Sequence, residues 1–371
     1  MDQPDYSLTY DSYTIACICP IGVELAAITA MLDEIHWSLP SARDKNSYTL
    51  GRMGAHNVVV VVMPEIGNNS AAIVATQLLC DFKSIRFGLL VGIGGGIPIE
   101  DEYDIRLGDI VVSKPTSTFS GVIQFELRTD GQCERTGALN KPPALLLANV
   151  QKLQAQYMVK GNKIAKNLSE MLERYPAMKE EQFFYQGVEH DLLFEATYHH
   201  QGGNSCHGCD RNKVVDRVPR EKTSPRIHYG TIGSSNQVVK DAVTREKLRE
   251  YFGIICVEME AAGLMDEFPC LVIRGICDYA DSHKNNQWQP YAAATAAAYA
   301  KDLLSIIPAQ EIDATKEALQ AIEISRGTHN AIASSITVLG VMSFQGSLTL
   351  VYQAEPVFPY AVRMTSRRIC I

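Results

Sequence analysis

The stretch IICVEMEAAG (residues 254–263), followed closely by CLVIRGICDYAD (residues 270–281), decides how this chain is organised. The run before Asp278 is short, continuously apolar and bounded by a proline and an aspartate, which predicts a fully buried strand. Glu258 and Glu260 lie where an earlier strand-like run gives way to a helical pattern. Ligands of open α/β sheets bind outside the carboxyl ends of the strands, so Asp278 is a candidate for chemistry.

Strand-like and helical runs alternate along the rest of the chain. Strands are predicted at residues 13–19, 56–63, 89–91, 107–113 and 227–232, and helices at residues 25–37, 71–82, 142–175, 238–252 and 290–307. Strands separated by helices are typical of a layered α/β fold. Residues 186–226 are polar and show little periodicity, which indicates a long insertion.

Beyond Pro308 the character of the chain changes, and we interpret residues 308–371 as a C-terminal extension of unknown role. Residues 309–326 are predicted to form one more helix. Residues 334–353 alternate only weakly between apolar and polar. The end of the chain is therefore either a poorly ordered tail or a small added hairpin.

Composition excludes several classes of protein. The 371 residues are 46% hydrophobic and 20% charged, which describes an ordinary globular protein that can bury a core. The formal net charge is −8, without a basic stripe, so no nucleic-acid partner is expected. Neither a secretory signal nor a membrane-spanning run is recognised. Most of the ten cysteines lie in apolar runs, which favours free thiols and a cytosolic location.

Two glycine motifs for nucleotide binding are excluded. A Gly-x-Gly-x-x-Gly fingerprint starting at Gly92 would need glycine at position 97, which is Ile97, and no helix follows. The chain has no Gly-Lys dipeptide, which excludes a Walker A loop. The glycines of residues 92–96 serve either close ligand contact or tight packing.

The motif Cys206-His-Gly-Cys209, with His199 and His200 upstream, offers the ligand chemistry of a zinc site. One Cys-x-x-Cys without a second pair at finger spacing is a weak signal. A surface loop with two free thiols is the favoured interpretation, so neither a metal nor a cofactor is predicted.

Four acids stand at strand-to-helix or strand-to-loop turns, namely Glu24, Glu258, Glu260 and Asp278. Acids are common at helix starts for reasons of capping alone. As a set they suit the cleavage of a bond to an anomeric carbon. One acid protonates the leaving group while a carboxylate activates water against an oxocarbenium-like transition state.

The chain resembles the nucleoside phosphorylase and nucleosidase superfamily. The resemblance is carried by VEMEAA (257–262), VIRGICDYAD (272–281), the 92–96 turn followed by LGDIVV (107–112), and the opening strand with Glu24. It covers residues 13–307, which are assigned to one domain. IHYG (227–230) and SNQ (235–237) are similar to fungal purine-nucleoside-type domains, which occur alone or at the head of NACHT or ankyrin-repeat signalling proteins. The implied fold is a three-layer α/β/α sandwich with a mixed, partly barrel-like sheet.

The resemblance also implies roles for single residues. Asp278 matches the acid that protonates the purine at N7, and it must therefore hold a proton near neutral pH, which burial favours. Met259 and Glu260 match the pair that contacts the ribose, and Glu258 opens the same motif and orients its neighbours. Further substrate contacts are implied for four residues: Asn236 and Gln237 at the base, and Gly67 and Ile93 beside the sugar and the nucleophile.

Three positions at which this chain differs from bacterial phosphorylase relatives predict the nucleophile. Bacterial phosphorylase relatives have arginine at Glu24, serine at Ile93 and a second arginine near Leu90. A carboxylate repels phosphate but can act as general base for water, provided that Glu24 stays ionised. The resemblance thus implies a purine nucleoside ribohydrolase, by analogy a homodimer. Phosphorolysis and a non-catalytic nucleoside sensor are the alternatives.

Overall fold

The computed structural model describes residues 8–39, 45–99, 102–129, 131–203 and 205–323, all within one compact unit. The strands are β1 Ile15–Cys19, β2 Glu34–Ile35, β3 Ser47–Met53, β4 His56–Val62, β5 Phe87–Gly96, β6 Ile110–Ser113, β7 Val122–Leu127, β8 Cys133–Arg135, β9 Ile227–Ser234, β10 Ile254–Glu258 and β11 Cys270–Asp278. The helices are α1 Gly22–Met31, α2 Asn68–Asp81, α3 Ala144–Lys160, α4 Ile164–Arg174, α5 Ala177–Glu180, α6 Ala242–Phe252, α7 Gln289–Ser305 and α8 Ala309–Asp313.

The strands form one mixed sheet in the order β2-β3-β4-β1-β5-β11-β6-β9-β7-β8. Strand β10 lies off this path and pairs with both β5 and β9. These two pairings close β5, β11, β6, β9 and β10 into a ring, whereas β2, β3, β4 and β1 extend from it as an open sheet. The predicted mixed, partly barrel-like α/β architecture is therefore confirmed.

Helices cover both faces of the sheet. One core cluster joins β1 and β11 to α1, α3, α4 and α7, and a second joins the opposite face to α2. Alanines dominate α7 and let it approach the sheet closely. Gly275 on β11 faces the Ala292 carbonyl of α7, where a β-carbon would overlap the carbonyl oxygen. None of the described helices combines the length and apolarity needed to cross a bilayer.

Several predicted element boundaries are wrong. The predicted helix over residues 25–37 ends at Met31, because the chain turns to pair β2 with β3. The predicted short strand at 89–91 continues through Gly96, because the glycines pair with β11 and with β10. The predicted helix over residues 309–326 breaks after Asp313, and residues 318–323 are helical again.

Residues 186–226, predicted to be an insertion, are mostly irregular and contain the short 3-10 turns Val188–His190, Cys206–Gly208 and Arg211–Lys213. The predicted tail or hairpin, including residues 334–353, lies outside the described residues.

Candidate active site

A cavity of about 220 Å³ lies where the turn into α1 meets β5, β10 and β11. The site cavity is lined by most of the residues predicted for the site: Glu24, Ile93, Gln237, Glu258, Met259, Glu260 and Asp278. Gly67 and Asn236 do not line it. The structure thus brings together acids that come from separate parts of the chain, Glu24 from α1, Glu258 and Glu260 from the end of β10, and Asp278 from the end of β11.

A buried arginine links three of these acids. The Arg274 side chain is 1% exposed, and Nη2 contacts Glu258 Oε2 and lies 3.0 Å from Glu260 Oε2. Its Nη1 lies 3.8 Å from Glu24 Oε1 and donates to the Ile93 carbonyl at 3.2 Å. Sequence reasoning missed Arg274, although a charged residue inside an apolar strand signals a buried partner.

Glu258 has its carboxylate fully engaged within the protein. It accepts hydrogen bonds from the backbone N–H of Glu260 at 3.1 Å and of Ala261 at 2.9 Å, besides the contact with Arg274. These bonds hold the turn that follows β10. Glu258 is therefore placed to position its neighbours rather than to react.

Glu24 lies in the first turn of α1 and is 2% exposed. Its Oε2 accepts from the Ile21 N–H and its Oε1 from the Ile93 N–H, both at 2.7 Å. Burial raises the pKa of the Glu24 carboxyl from its ordinary value of 4.5 to about 8, against the opposing effect of Arg274. The expectation that Glu24 is an unperturbed, ionised acid is wrong, because desolvation outweighs these stabilising contacts.

Glu260 shares the same environment. Its Oε1 accepts from the Gly67 N–H at 3.3 Å, so Gly67 acts through its backbone although it does not line the cavity. Burial raises the pKa of Glu260 above its usual range, with Arg274 opposing this and Glu258 adding to it. Glu260 and the adjacent Met259 both line the cavity, and their contact with a sugar stays a prediction.

Asp278 ends β11 and is tied on both carboxylate oxygens. Its Oδ1 accepts from the Ala280 N–H at 2.9 Å, and its Oδ2 forms an ion pair with Lys284 Nζ. Although burial acts to lower it, Asp278 holds the pKa of Lys284 above its usual value. The carboxyl group predicted to act as the acid is thus paired with a lysine side chain, and its catalytic role stays a prediction. Lys284 also lines the cavity and was not predicted.

The two amides predicted to contact the base also form hydrogen bonds within the protein. Asn236 Oδ1 accepts from the Asn68 N–H at 2.9 Å, at the start of α2. Gln237 Oε1 accepts from the Leu127 N–H at 2.6 Å, and its Nε2 donates to the Leu127 carbonyl at 3.2 Å. These bonds engage Asn236 Oδ1 and both polar atoms of the Gln237 amide, and the predicted contact of the two residues with the base stays a prediction.

The glycines of β5 make room for the acids. A β-carbon on Gly92 would overlap the Glu24 carboxylate and the Arg274 guanidinium, and one on Gly95 would lie 2.9 Å from Asp278 Oδ1. The run is tightly packed against the charged groups of the cavity, and Gly94 and Gly95 also line it, so close ligand contact stays open as the second interpretation.

Comparison with known proteins finds similar sequences. The sequence model described as Phosphorylase superfamily matches residues 14–307. A nucleotide-binding leucine-rich repeat (NLR)-like protein of Hyaloscypha variabilis is 47% identical over 310 residues, which are 82% of this chain and 30% of that protein. An ATP nucleosidase of Escherichia coli is 23% identical over 252 residues, which are 66% of this chain and 41% of that protein. The chain therefore spans less than half the length of these relatives.

Solved structures share the architecture. The 5'-methylthioadenosine/S-adenosylhomocysteine nucleosidase from Neisseria meningitidis, in complex with methylthio-immucillin-A, matches with a TM-score of 0.50 at 15% identity. The match covers 79% of this chain and 99% of that chain. At this identity the likeness shows the fold alone.

Proposed function

This chain belongs to the phosphorylase superfamily, whose sequence model it matches over residues 14–307, and on that premise we propose that it is a nucleosidase that hydrolyses the N-glycosidic bond of purine nucleosides. One observation carries the proposal. Glu24, Glu260 and Asp278 line one cavity of about 220 Å³, and the Lys284 ammonium group forms an ion pair with Asp278. Glycosidic hydrolysis needs an acid for the leaving group and a carboxylate for water, and these groups supply both.

The leaving purine is placed against Asp278 and Lys284, and the ribose against Met259 and Glu260. As the bond between C1′ and N9 breaks, its electron pair passes to the purine, and the Asp278–Lys284 pair delivers a proton to N7. Water bonds to C1′ from the opposite side of the sugar and gives a proton to the ionised Glu24 carboxylate. The products are a free purine base and ribose.

Charge pairing favours water over phosphate as the nucleophile. Among the described residues, the cations that line the cavity are Arg274 and Lys284. Arg274 is surrounded by Glu24, Glu258 and Glu260, and Lys284 is paired with Asp278. A phosphate dianion needs unpaired donors of positive charge. Separating the buried Arg274 from its acids is costly, and the Lys284 ammonium group is already paired with Asp278.

The experiment is a substrate panel with chromatographic detection of base and sugar, with and without phosphate. The panel holds adenosine, inosine, guanosine, 5′-methylthioadenosine and ATP, the last two because proteins similar in sequence or fold are named for them. We expect base and a sugar that carries a hydroxyl rather than a phosphate at C1′, at rates that phosphate does not change. Ribose 1-phosphate formed only when phosphate is present would instead assign a phosphorylase.

A matched pair of variants tests the acid. Asp278→Asn removes the ion pair with Lys284, whereas Asp302→Asn changes an equally buried aspartate that bonds Tyr157 and Asn167 outside the cavity. Base release should fall about 10²–10⁴-fold in the first variant only. Near-normal turnover of Asp278→Asn would refute the assignment.

A nucleoside sensor is the second candidate, favoured by the 47% identity with an NLR-like protein. Its signature is thermal stabilisation by a nucleoside without release of base. The same panel, read by melting temperature, separates the two functions.

A further inference from the structure

The Cys206-x-x-Cys209 motif does not lie free on the surface. Both thiols are free, as predicted, but Cys209 is buried and Cys206 is half-buried, so the predicted surface position is wrong for Cys209. His200 and Cys206 contact the segment after β11, where the His200 N–H donates to Ser282 Oγ at 3.0 Å and Cys206 Sγ lies 3.8 Å from the His283 carbonyl oxygen. This contact brings His283, which is distant in sequence, next to the motif. We propose that His200, Cys206, Cys209 and His283 bind one structural Zn²⁺ ion.

The spacing of the ligand atoms fits a tetrahedral ion. His200 Nδ1 lies 3.3 Å from Cys209 Sγ and 3.9 Å from Cys206 Sγ. One ligand atom each of His200, Cys209 and His283 lies within 4.8 Å of the other two. Tetrahedral Zn²⁺ with Zn–S of about 2.3 Å and Zn–N of about 2.0 Å separates its ligand atoms by about 3.3–3.8 Å. Cys206 is the proposed fourth ligand, with Sγ 3.9 Å from His200 Nδ1 but outside the group of three.

The hydrogen bond of His200 selects the nitrogen that faces the thiols. Its Nε2 lies 3.1 Å from the Gly203 carbonyl, which accepts only, so Nε2 carries the proton. The lone pair is then on Nδ1, the nitrogen next to both cysteines. A backbone carbonyl that fixes the tautomer in this way is the usual partner of a zinc-binding histidine.

His283 supplies the independent observation that points to a ligand. It is 7% exposed, and neither ring nitrogen has a hydrogen-bond partner. The ring stacks on Phe194 with centroids 4.0 Å apart, and Asp281 Oδ2 lies 3.6 Å from Nδ1. A buried unpaired polar group costs about 1–3 kcal/mol. A metal bond to one nitrogen removes this cost.

The ligand set assigns a structural role to the ion. Four protein ligands leave no open position for water or substrate, unlike a catalytic zinc site. The ion would fasten the insertion to residues 281–283, directly before Lys284 and its partner Asp278. The zinc site thereby supports one wall of the cavity without entering the reaction, and it does not depend on the proposed function.

Elemental analysis of the full chain, purified without chelator, tests the site. We expect about one zinc ion per chain. Cys206→Ser, Cys209→Ser and His200→Ala should lose it. His199→Ala changes the adjacent exposed histidine, and Cys80→Ser an exposed cysteine on α2, so both should keep the ion.

Two further measurements keep the test decisive if a ligand variant does not fold. Chelation of the wild-type protein should lower its melting temperature, and added zinc should restore it. Cobalt substitution should give the visible absorption of a tetrahedral ion with thiolate ligands. Purified protein without metal, a Cys206–Cys209 disulfide found by mass spectrometry, or zinc retained by His200→Ala and lost by His199→Ala would each overturn the proposal.

Discussion

The raised pKa of Glu24 predicts an unusual pH dependence for a carboxylate base. The carboxyl acts on water only when ionised, and its pKa in the folded protein is about 8. A group with this pKa is about one-tenth ionised at pH 7 and about nine-tenths ionised at pH 9. We therefore expect kcat/KM for base release to rise about tenfold between these two pH values.

The assay is the initial rate of base release at low substrate concentration, measured from pH 5.5 to pH 9.5 for wild type and Glu24→Gln. The variant keeps the shape of the side chain but cannot titrate, so its residual activity should not rise with pH over this range. Melting temperatures recorded across the same series exclude unfolding as the cause of any change.

A wild-type profile that is flat above pH 6 would refute the reasoning, because it would place the functional acid at an ordinary carboxyl pKa. A Glu24→Gln profile that rises like the wild type would assign the titration to another group. The raised pKa of Glu24 also makes the stability of the fold depend on pH. The raised pKa stabilises the folded state fully below pH 4.5, and this contribution is lost as pH rises through about 8.

Three further substitutions have expected outcomes. Arg274→Met removes the cationic partner of three buried acids and should lower the free energy of unfolding by about 3–5 kcal/mol in denaturant titrations. The control Arg52→Met, at an exposed ion pair, should lower it by about 0–1 kcal/mol. Gly92→Ala overlaps the acid cluster and should abolish base release in the rate assay, whereas Gly22→Ala has no atom within 4 Å and should not. Lys284→Met removes the proton of the leaving-group pair and should slow base release about 10²–10⁴-fold.

Each of these predictions can fail in a specific way. Equal losses of stability for the two arginine variants would show that the buried cluster is held together by other contacts. Full activity of the Gly92 variant would show that the backbone of β5 shifts without disturbing the acids. A normal rate of base release by Lys284→Met would show that Asp278 protonates the leaving group without Lys284.

The buried strands were the most predictable part of the fold. Continuous apolar runs defined β10 and β11, and the acids at their ends met in one cavity. The end of β5 was not predictable from its glycines, because only the pairing with β10 and β11 makes them a strand. Those partners lie more than 150 residues away along the chain.

Two charged residues of the cavity were missed for different reasons. Arg274 lies 14 and 16 residues from Glu260 and Glu258, but only folding brings Glu24 beside it. Lys284 is only six residues from Asp278, yet nothing in the spacing marks the two as a pair. The spacing of His200, Cys206 and Cys209 in the sequence indicates three of the proposed zinc ligands. His283 is distant in sequence and becomes a candidate only once the fold is known.

The double pairing of β10 has a consequence for how the acids keep their mutual positions. A strand frays from an edge that has no hydrogen-bonded neighbour, and the closed ring of five strands has no such edge. Glu258 and Asp278 end two members of this cycle, and Arg274 is carried within one of them. The backbone amide protons of Glu258, Arg274 and Asp278 should therefore exchange with solvent together, in one cooperative opening. The amide protons of the peripheral strands β2 and β3 should exchange earlier and independently of one another.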